Sequence, residues 1–409
     1  MKIAQFALNI FLLSVPLQFG LHFWPEWAIV LGRKIDYLSP TLYFSDIVFI
    51  AVIAVLLKIK AMRPSQLVAI GLLLLPLLLI NVYSSQWQIT IFGWLRYVQV
   101  AVVGFLFSRK LLSTTVVVQI FACVALIVGT LALTQFFNQH SVGGLWYFGG
   151  ERELSVQTPG VAKAALLGRE VLRPYSLFSH PNTMAGFLVV MLPPLFWYVL
   201  NAKNPADYFL SRFGFVIALI TIGLSLSRIA IAVATLFLVV ALFQSRLKSI
   251  QKISLITCLG LFLIIFESTS GRLSQLFIND VSIVERSWLL SAATTMIKSR
   301  PLFGGGIGSF VPRVPQLEQP PFVLHPVHNI LLLLLTEVGV VGSIYLFWLA
   351  RTFVKQISNT PLFWSLVAIA LTGMFDHYWL TQPQTRLLMG IIVGMSVSWS
   401  TARIITKSV

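Results

Sequence analysis

Runs of about 20 consecutive apolar residues, the length that a hydrocarbon core demands of a crossing helix, recur roughly a dozen times along this chain. They lie near 4–23, 42–58, 66–83, 88–108, 112–137, 181–201, 208–226, 228–245, 252–267, 327–350, 361–380 and 384–402. Backbone in lipid must satisfy its own N–H and C=O groups, so such runs fold as helices. With 57% hydrophobic and only 10% charged residues, the chain cannot be wrapped around one water-soluble core. The expectation is an all-α polytopic membrane protein of about twelve transmembrane helices, with residues 1–409 as a single membrane-embedded domain. The opening "MKIAQFALNIFLLSVPLQFG" has the look of a signal peptide but lacks a small-x-small cleavage site, and it reads as a retained first span.

Basic residues in short loops mark the cytoplasmic side. With the N-terminus inside, that side collects Lys2; Lys58, Lys60 and Arg63; Arg109 and Lys110; Lys203 and Arg212; Arg246, Lys248 and Lys252; Arg351 and Lys355; and Arg403 and Lys407. A single acid, Asp207, stands against them. The sequence therefore predicts both termini in the cytoplasm, and the net charge of +16 reads as a topology signal that calls for no nucleic-acid partner.

The cytoplasmic loops are short, whereas two outward segments, about 138–180 and 268–326, are long, so chemistry belongs outside. Cys123 and Cys258 fall within predicted spans and cannot brace those loops. There is no phosphate-binding loop of Walker type, so an outside reaction must use a substrate activated beforehand. In the second segment Ser282 and Glu285 stand at capping-box spacing, and a helix near 283–299 runs until Pro301 stops it. Val284, Trp288, Ala292 and Met296 recur every fourth residue, which suggests an apolar stripe lying on the outer leaflet or on the bundle. Lys298 and Arg300 read as contacts to lipid headgroups, and "PLFGGGIGSF" as a tight turn under a site.

Several of these stretches together carry a resemblance. Arg286-x-Trp288, then "AATTMIKSRPLFGGGIGSF", then His328-Asn329 with nine residues before Gly339-x-x-Gly342, resemble the O-antigen ligase and polymerase family of bacterial membrane glycosyltransferases. "LSLSRIA" around Arg228 and "RPYSLFSHPNTMAGFL" around Arg173, His180 and Asn182 resemble further elements of that family. Ser343 departs from the pattern as we read it for ligases, which keeps a polymerase in play. The resemblance implies a GT-C-like enzyme in the bacterial inner membrane. Its donor is an undecaprenyl-diphosphate-linked glycan, and its acceptor is a lipid- or glycan-borne hydroxyl at the outer face.

The residue chemistry agrees with that implication. A departing lipid diphosphate develops charge that a metal or guanidinium groups must stabilise. No Asp-x-Asp occurs, the nearest approach being Glu151 and Glu153, so no metal or other cofactor is expected. The family's phosphate-binding role carries over to Arg228 and Arg286; Arg173, His180 and Asn329 are further lining candidates. His328 is the implied base for an inverting displacement, since imidazole is competent near neutral pH. By itself it also reads as a helix-start residue bonded to nearby backbone, and a zinc site with His325 is disfavoured by the intervening Pro326. At about 100° per residue, Gly339 and Gly342 fall near the His328 face, where small residues admit a neighbouring helix.

A transporter would share this composition but should show charged or broken helices at the midplane and little mass outside. A structural membrane subunit would need no aligned outward His and Arg set. Two charges inside spans call for partners, and their similar depth suggests that Arg96 and Glu337 pair.

Overall fold

The computed structural model describes residues 2–80, 84, 86–166, 169–202, 204–243, 247–270, 281–317, 323–354 and 360–407. The fold is mostly helical. In chain order the helices are α1 (Lys2–Ser14), α2 (Phe44–Lys58), α3 (Pro64–Leu79), α4 (Trp87–Ser108), α5 (Thr114–Asn138), α6 (Pro181–Asn201), α7 (Pro205–Leu224) and α8 (Arg228–Leu242). They continue with α9 (Ser249–Ser270), α10 (Val281–Ser299), α11 (Phe310–Arg313), α12 (Ile330–Val354), α13 (Pro361–Gly373), α14 (Tyr378–Thr381) and α15 (Pro383–Lys407). Among the described residues, five helices are long and apolar enough to cross a membrane: α4, α5, α6, α7 and α12. Two expected spans are shorter than their apolar runs. The run at 4–23 is helical only to Ser14, two residues before Pro16, and the run at 361–380 stops at Gly373.

The chain divides into two compact units. The first comprises residues 1–19, 110–276 and 359–372. Here α5 packs on α7 with Gly214 laid against Ala122, where a side chain has no room. The short antiparallel pair β5 (Lys163–Leu166) and β6 (Arg169–Leu172) stands in the expected outward segment. Glu151 is buried in the same segment and accepts from Gln135 Nε2 at 2.7 Å, Val142 N at 2.8 Å and Gly143 N at 2.7 Å. This carboxylate pins a loop, so the nearest approach to an acidic metal motif is spent on structure.

The second unit comprises residues 20–109, 277–358 and 373–409. Its α15 lies against α4 where Gly390 and Gly394 meet Val100 and Gly104. Strand β1 (Gly20–His22) pairs antiparallel with β4 (Thr41–Tyr43), with β2 (Ile29–Val30) and β3 (Arg33–Lys34) forming a second small pair between them in sequence. Arg96 does not pair with Glu337. Its Nη1 donates to Asp46 Oδ1 at 2.7 Å and to Gln99 Oε1 at 3.0 Å, and Nη2 donates to the Thr41 carbonyl.

Helix α10 ends at Ser299, before Pro301, as its sequence predicts, and its buried stripe keeps Ala292 and Met296 of the expected one but not Val284 and Trp288. Leu289, Ala292, Ala293 and Met296 are buried together with Phe310, Val311, Leu324, Val327 and Leu333. Val284 and Trp288 are 44% and 36% exposed, so the first half of the expected stripe is exposed. The Ser282 side chain, on which the expected capping box depends, lies outside the described residues.

Helix α12 is broken. Gly339 has φ +66° and ψ −171°, in a region that side chains avoid, so the helical count from His328 to Gly339 and Gly342 does not hold beyond residue 338. The glycine-rich segment fills the break. Gly305 and Gly306 donate to the Thr336 and Glu337 carbonyls at 2.9 and 2.8 Å, and Val340 and Val341 donate to the Pro301 and Leu302 carbonyls at 2.9 and 3.0 Å. The Glu337 carboxylate accepts from the backbone N–H groups of Gly308 and Phe310. Four backbone groups beside the break thus find partners in the loop, as irregular backbone in lipid requires. Gly339 gives room to this loop rather than to a helix, and Gly342 faces Val338 and Leu77.

Candidate functional site

His328 stands two residues before α12, and the next residue fixes its surroundings. Asn329 Oδ1 accepts from the Leu331 and Leu332 N–H groups at 2.9 and 3.0 Å, capping the helix. Its amide also donates to the Met374 carbonyl at 2.9 Å. Gly373 lies against Ile330, whose Cδ1 would be 2.6 Å from an added Cβ, so a larger residue here would push the Ile330 side chain aside. These two contacts fold the segment after α13 onto the head of α12. They deliver Asp376, whose Oδ1 is 3.5 Å from His328 Nδ1, and His377, whose Nε2 is 4.0 Å from the same oxygen.

The His328 side chain is 29% exposed and the Asp376 side chain 8%, so the imidazole is the accessible member of the pair. His328 Nδ1 itself is buried and makes no hydrogen bond, so the alternative of a histidine bonded to nearby backbone through that nitrogen does not hold. The rings of His328 and His377 lie 5.1 Å apart, and Tyr37 sets its ring edge-on to both His325 and His377, at 6.1 and 5.4 Å.

Arg286 is exposed on α10, whose packed face is buried with Val327, the neighbour of His328. Its own neighbour, Glu285, is within electrostatic range of His325. The second unit therefore holds His328, Asp376, Asn329 and Arg286.

The first unit holds the other candidates. Arg173 Nε donates to the Ser225 carbonyl at 2.7 Å and Nη2 to Asn182 Oδ1 at 2.6 Å. His180 caps α6, its Nδ1 accepting from the Asn182 N–H at 3.1 Å. These residues brace the turn before α8, where Leu226 sits at φ +51° and Ser227 is the N-cap. Arg228 follows as the first residue of α8 and is exposed. Beside this brace, burial pushes the Tyr175 phenol above its ordinary pKa, and its hydroxyl accepts from the Ala162 N–H at 2.7 Å.

Asp376 and His377 escaped the sequence reading because they lie inside the apparent span 361–380. Their signal was present: an adjacent Asp and His in "GMFDHYWLT" is costly in hydrocarbon, and this marks where the helix must stop.

No curated protein matches the chain. The family model described as O-antigen ligase matches residues 213–348, a segment that contains Arg228, Arg286, His328, Asn329, the glycine-rich loop and Gly339, and that ends before Asp376. What that family implies in general is a glycosyltransferase-like enzyme of ligase or polymerase type, acting on a lipid-linked glycan and an acceptor. The mostly helical fold and its membrane-length helices agree with that assignment. Over residues 213–348 the chain thus matches the O-antigen ligase family, as the resemblance around Arg228, Arg286 and His328 implies.

Proposed function

We propose that this protein transfers a glycan from an undecaprenyl-diphosphate carrier to an acceptor hydroxyl on the outer face of the bacterial cytoplasmic membrane, as an O-antigen ligase does. The observation that carries this reading is the His328–Asp376 pair, with a separation of 3.5 Å and the exposed ring in front. Asp376 orients the imidazole through Nδ1–H, which leaves the Nε2 lone pair to take the acceptor proton. The acceptor oxygen then attacks the anomeric carbon as the bond to the diphosphate breaks, which inverts that centre. Negative charge passes to the leaving diphosphate. Arg286, exposed in the same unit, is the cation assigned to it, since guanidinium stays charged and grips phosphate oxygens in pairs. Arg228 is assigned the same chemistry by its own exposure and is tested separately. On this reading the step needs no metal.

The transporter reading expects a broken helix, and α12 is one. Its break, however, is filled by the loop 301–310, and the Glu337 carboxylate there is occupied by backbone N–H groups. Purified protein given a lipid-diphosphate glycan and an acceptor should release free carrier diphosphate and form one glycosylated product. Glycan movement across vesicles without such release overturns the reading. Cells lacking the protein should accumulate long carrier-linked glycan; accumulation of single repeat units would instead assign a polymerase, the reading that Ser343 keeps open.

A further inference from the structure

The proposed mechanism uses His328 and Asp376 and leaves His377 without a task. Its Nδ1 is 2.8 Å from the Thr381 hydroxyl, and that hydroxyl donates to the His377 carbonyl at 3.2 Å. A hydroxyl has one proton; in the tautomer in which it goes to the carbonyl, the imidazole is the donor in the first contact and Nε2 keeps its lone pair. This lone pair faces a carboxylate oxygen 4.0 Å away, with no proton between them. On the other side of the same oxygen stands His328 Nδ1, buried, 3.5 Å away and without a hydrogen bond. Three donor atoms from three residues lie within 4.8 Å of one another. When the His328 proton moves to Nε2, the three donor atoms turn lone pairs toward one another, an arrangement that a cation stabilises.

The donor set is one carboxylate and two imidazoles, which suits first-row transition ions rather than calcium or magnesium. Ligand bonds of about 2.0–2.2 Å in a tetrahedral shell need donor separations of roughly 3.4 Å, so a small contraction completes the shell. The outer contacts are those that such sites use. His377 is held through its other nitrogen by Thr381, and Asp376 Oδ1 accepts from the His377 N–H at 2.8 Å. The 29% exposure of the His328 side chain provides the way in and a fourth, open position.

We infer that His328 Nδ1, Asp376 Oδ1 and His377 Nε2 form an inhibitory binding site for a divalent transition ion such as zinc. The inhibition rests on His328 being the base. A neutral imidazole carries one N–H; an ion on Nδ1 forces that proton onto Nε2, and Nε2 then has no lone pair with which to take a proton from the acceptor. The ion also claims the carboxylate that orients the ring.

The test uses full-length protein in detergent, stripped by a chelator and titrated with Co2+. Visible d–d bands of a low-coordinate site should grow to about one equivalent and be displaced by Zn2+. In a transfer assay Zn2+ should inhibit and a chelator restore turnover, and in His377→Ala half-inhibition should need at least about tenfold more Zn2+ relative to that variant's own metal-free rate. If thermal melting shows that His377→Ala does not fold, Thr381→Val, which releases the ring, should shift both readings in the same direction. Absent cobalt bands, or bands and inhibition unchanged in whichever variant folds, overturn the site. Cobalt binding requires no turnover, so bands in a protein that transfers no glycan defeat the functional reading and leave the site standing. Transfer without bands does the reverse.

Discussion

Arg96 and Asp46 form a buried ion pair, Nη1 to Oδ1 at 2.7 Å, and Gln99 bonds to both partners. Buried pairs of this kind contribute little net stability but are costly to break, because the surviving charge is left without a partner. Asp46→Asn or Arg96→Leu alone should each lose about 3–5 kcal/mol, whereas the apolar double variant Asp46→Leu with Arg96→Leu should recover much of the loss. Thermal unfolding in detergent reads this; a double variant no better than the worse single would show the pair to be dispensable.

His328→Ala should lower turnover by about 10²–10⁴ while leaving donor binding and melting temperature nearly unchanged. Asp376→Asn should move the rate in the same direction by less, since the base survives without its orienting partner. Single-turnover kinetics with separately measured donor affinity checks both. Near-native turnover per folded molecule in His328→Ala removes the residue from the mechanism.

Arg286→Ala should differ in kind, weakening donor affinity together with rate, because a diphosphate is charged in the ground state as well as in the transition state. Arg228→Ala, assayed alone, should show the same double effect. An unchanged donor affinity in either variant removes that arginine from the phosphate contact.

Gly339→Ala should destabilise by about 1–3 kcal/mol from backbone strain alone. Contact with the Leu302 carbonyl, against which the new methyl would press, adds to this. Gly342→Ala, which meets only the Val338 and Leu77 side chains, should be milder. Equal melting temperatures for the two variants would contradict the break in α12.

The expectation, from the basic residues of the short loops, that residues 268–326 face outward predicts that Thr294→Cys, on the exposed face of α10, is labelled by an impermeant thiol reagent in intact cells. Labelling only after lysis would invert the topology.

The helical architecture was legible because apolar runs of membrane length admit few other folds, and the family resemblance was legible because motif spacing survives in sequence. What was hidden depends on chain reversal. Asp376 is 48 residues beyond His328, and its delivery depends on Asn329 and Gly373, whose roles appear only once Met374 and Ile330 are beside them. The break at Gly339 was hidden for another reason: counted at helical spacing, that glycine satisfies a packing rule, and periodicity assumes the very regularity that the break abolishes. The stripe on α10 was read correctly at Ala292 and Met296 but not at Val284 and Trp288, which are apolar yet exposed, as lipid or interface contact permits. Arg96 was matched to Glu337 on depth alone, when Asp46 was within reach at the start of α2.

The interlock between residues 301–310 and α12 also constrains the order in which the chain can mature. A hydrophobic segment normally enters the bilayer as a straight rod that meets its own hydrogen-bonding needs. Here the carbonyls of Thr336 and Glu337 and the N–H groups of Val340 and Val341 are met by the glycine-rich loop. During biogenesis α12 must therefore either cross first as an unbroken helix and be opened later, or wait for the loop, which is synthesised before it. In both cases the bend is acquired at assembly rather than at insertion, and agents that slow tertiary assembly without blocking insertion should trap a protein whose α12 is in the membrane and still straight.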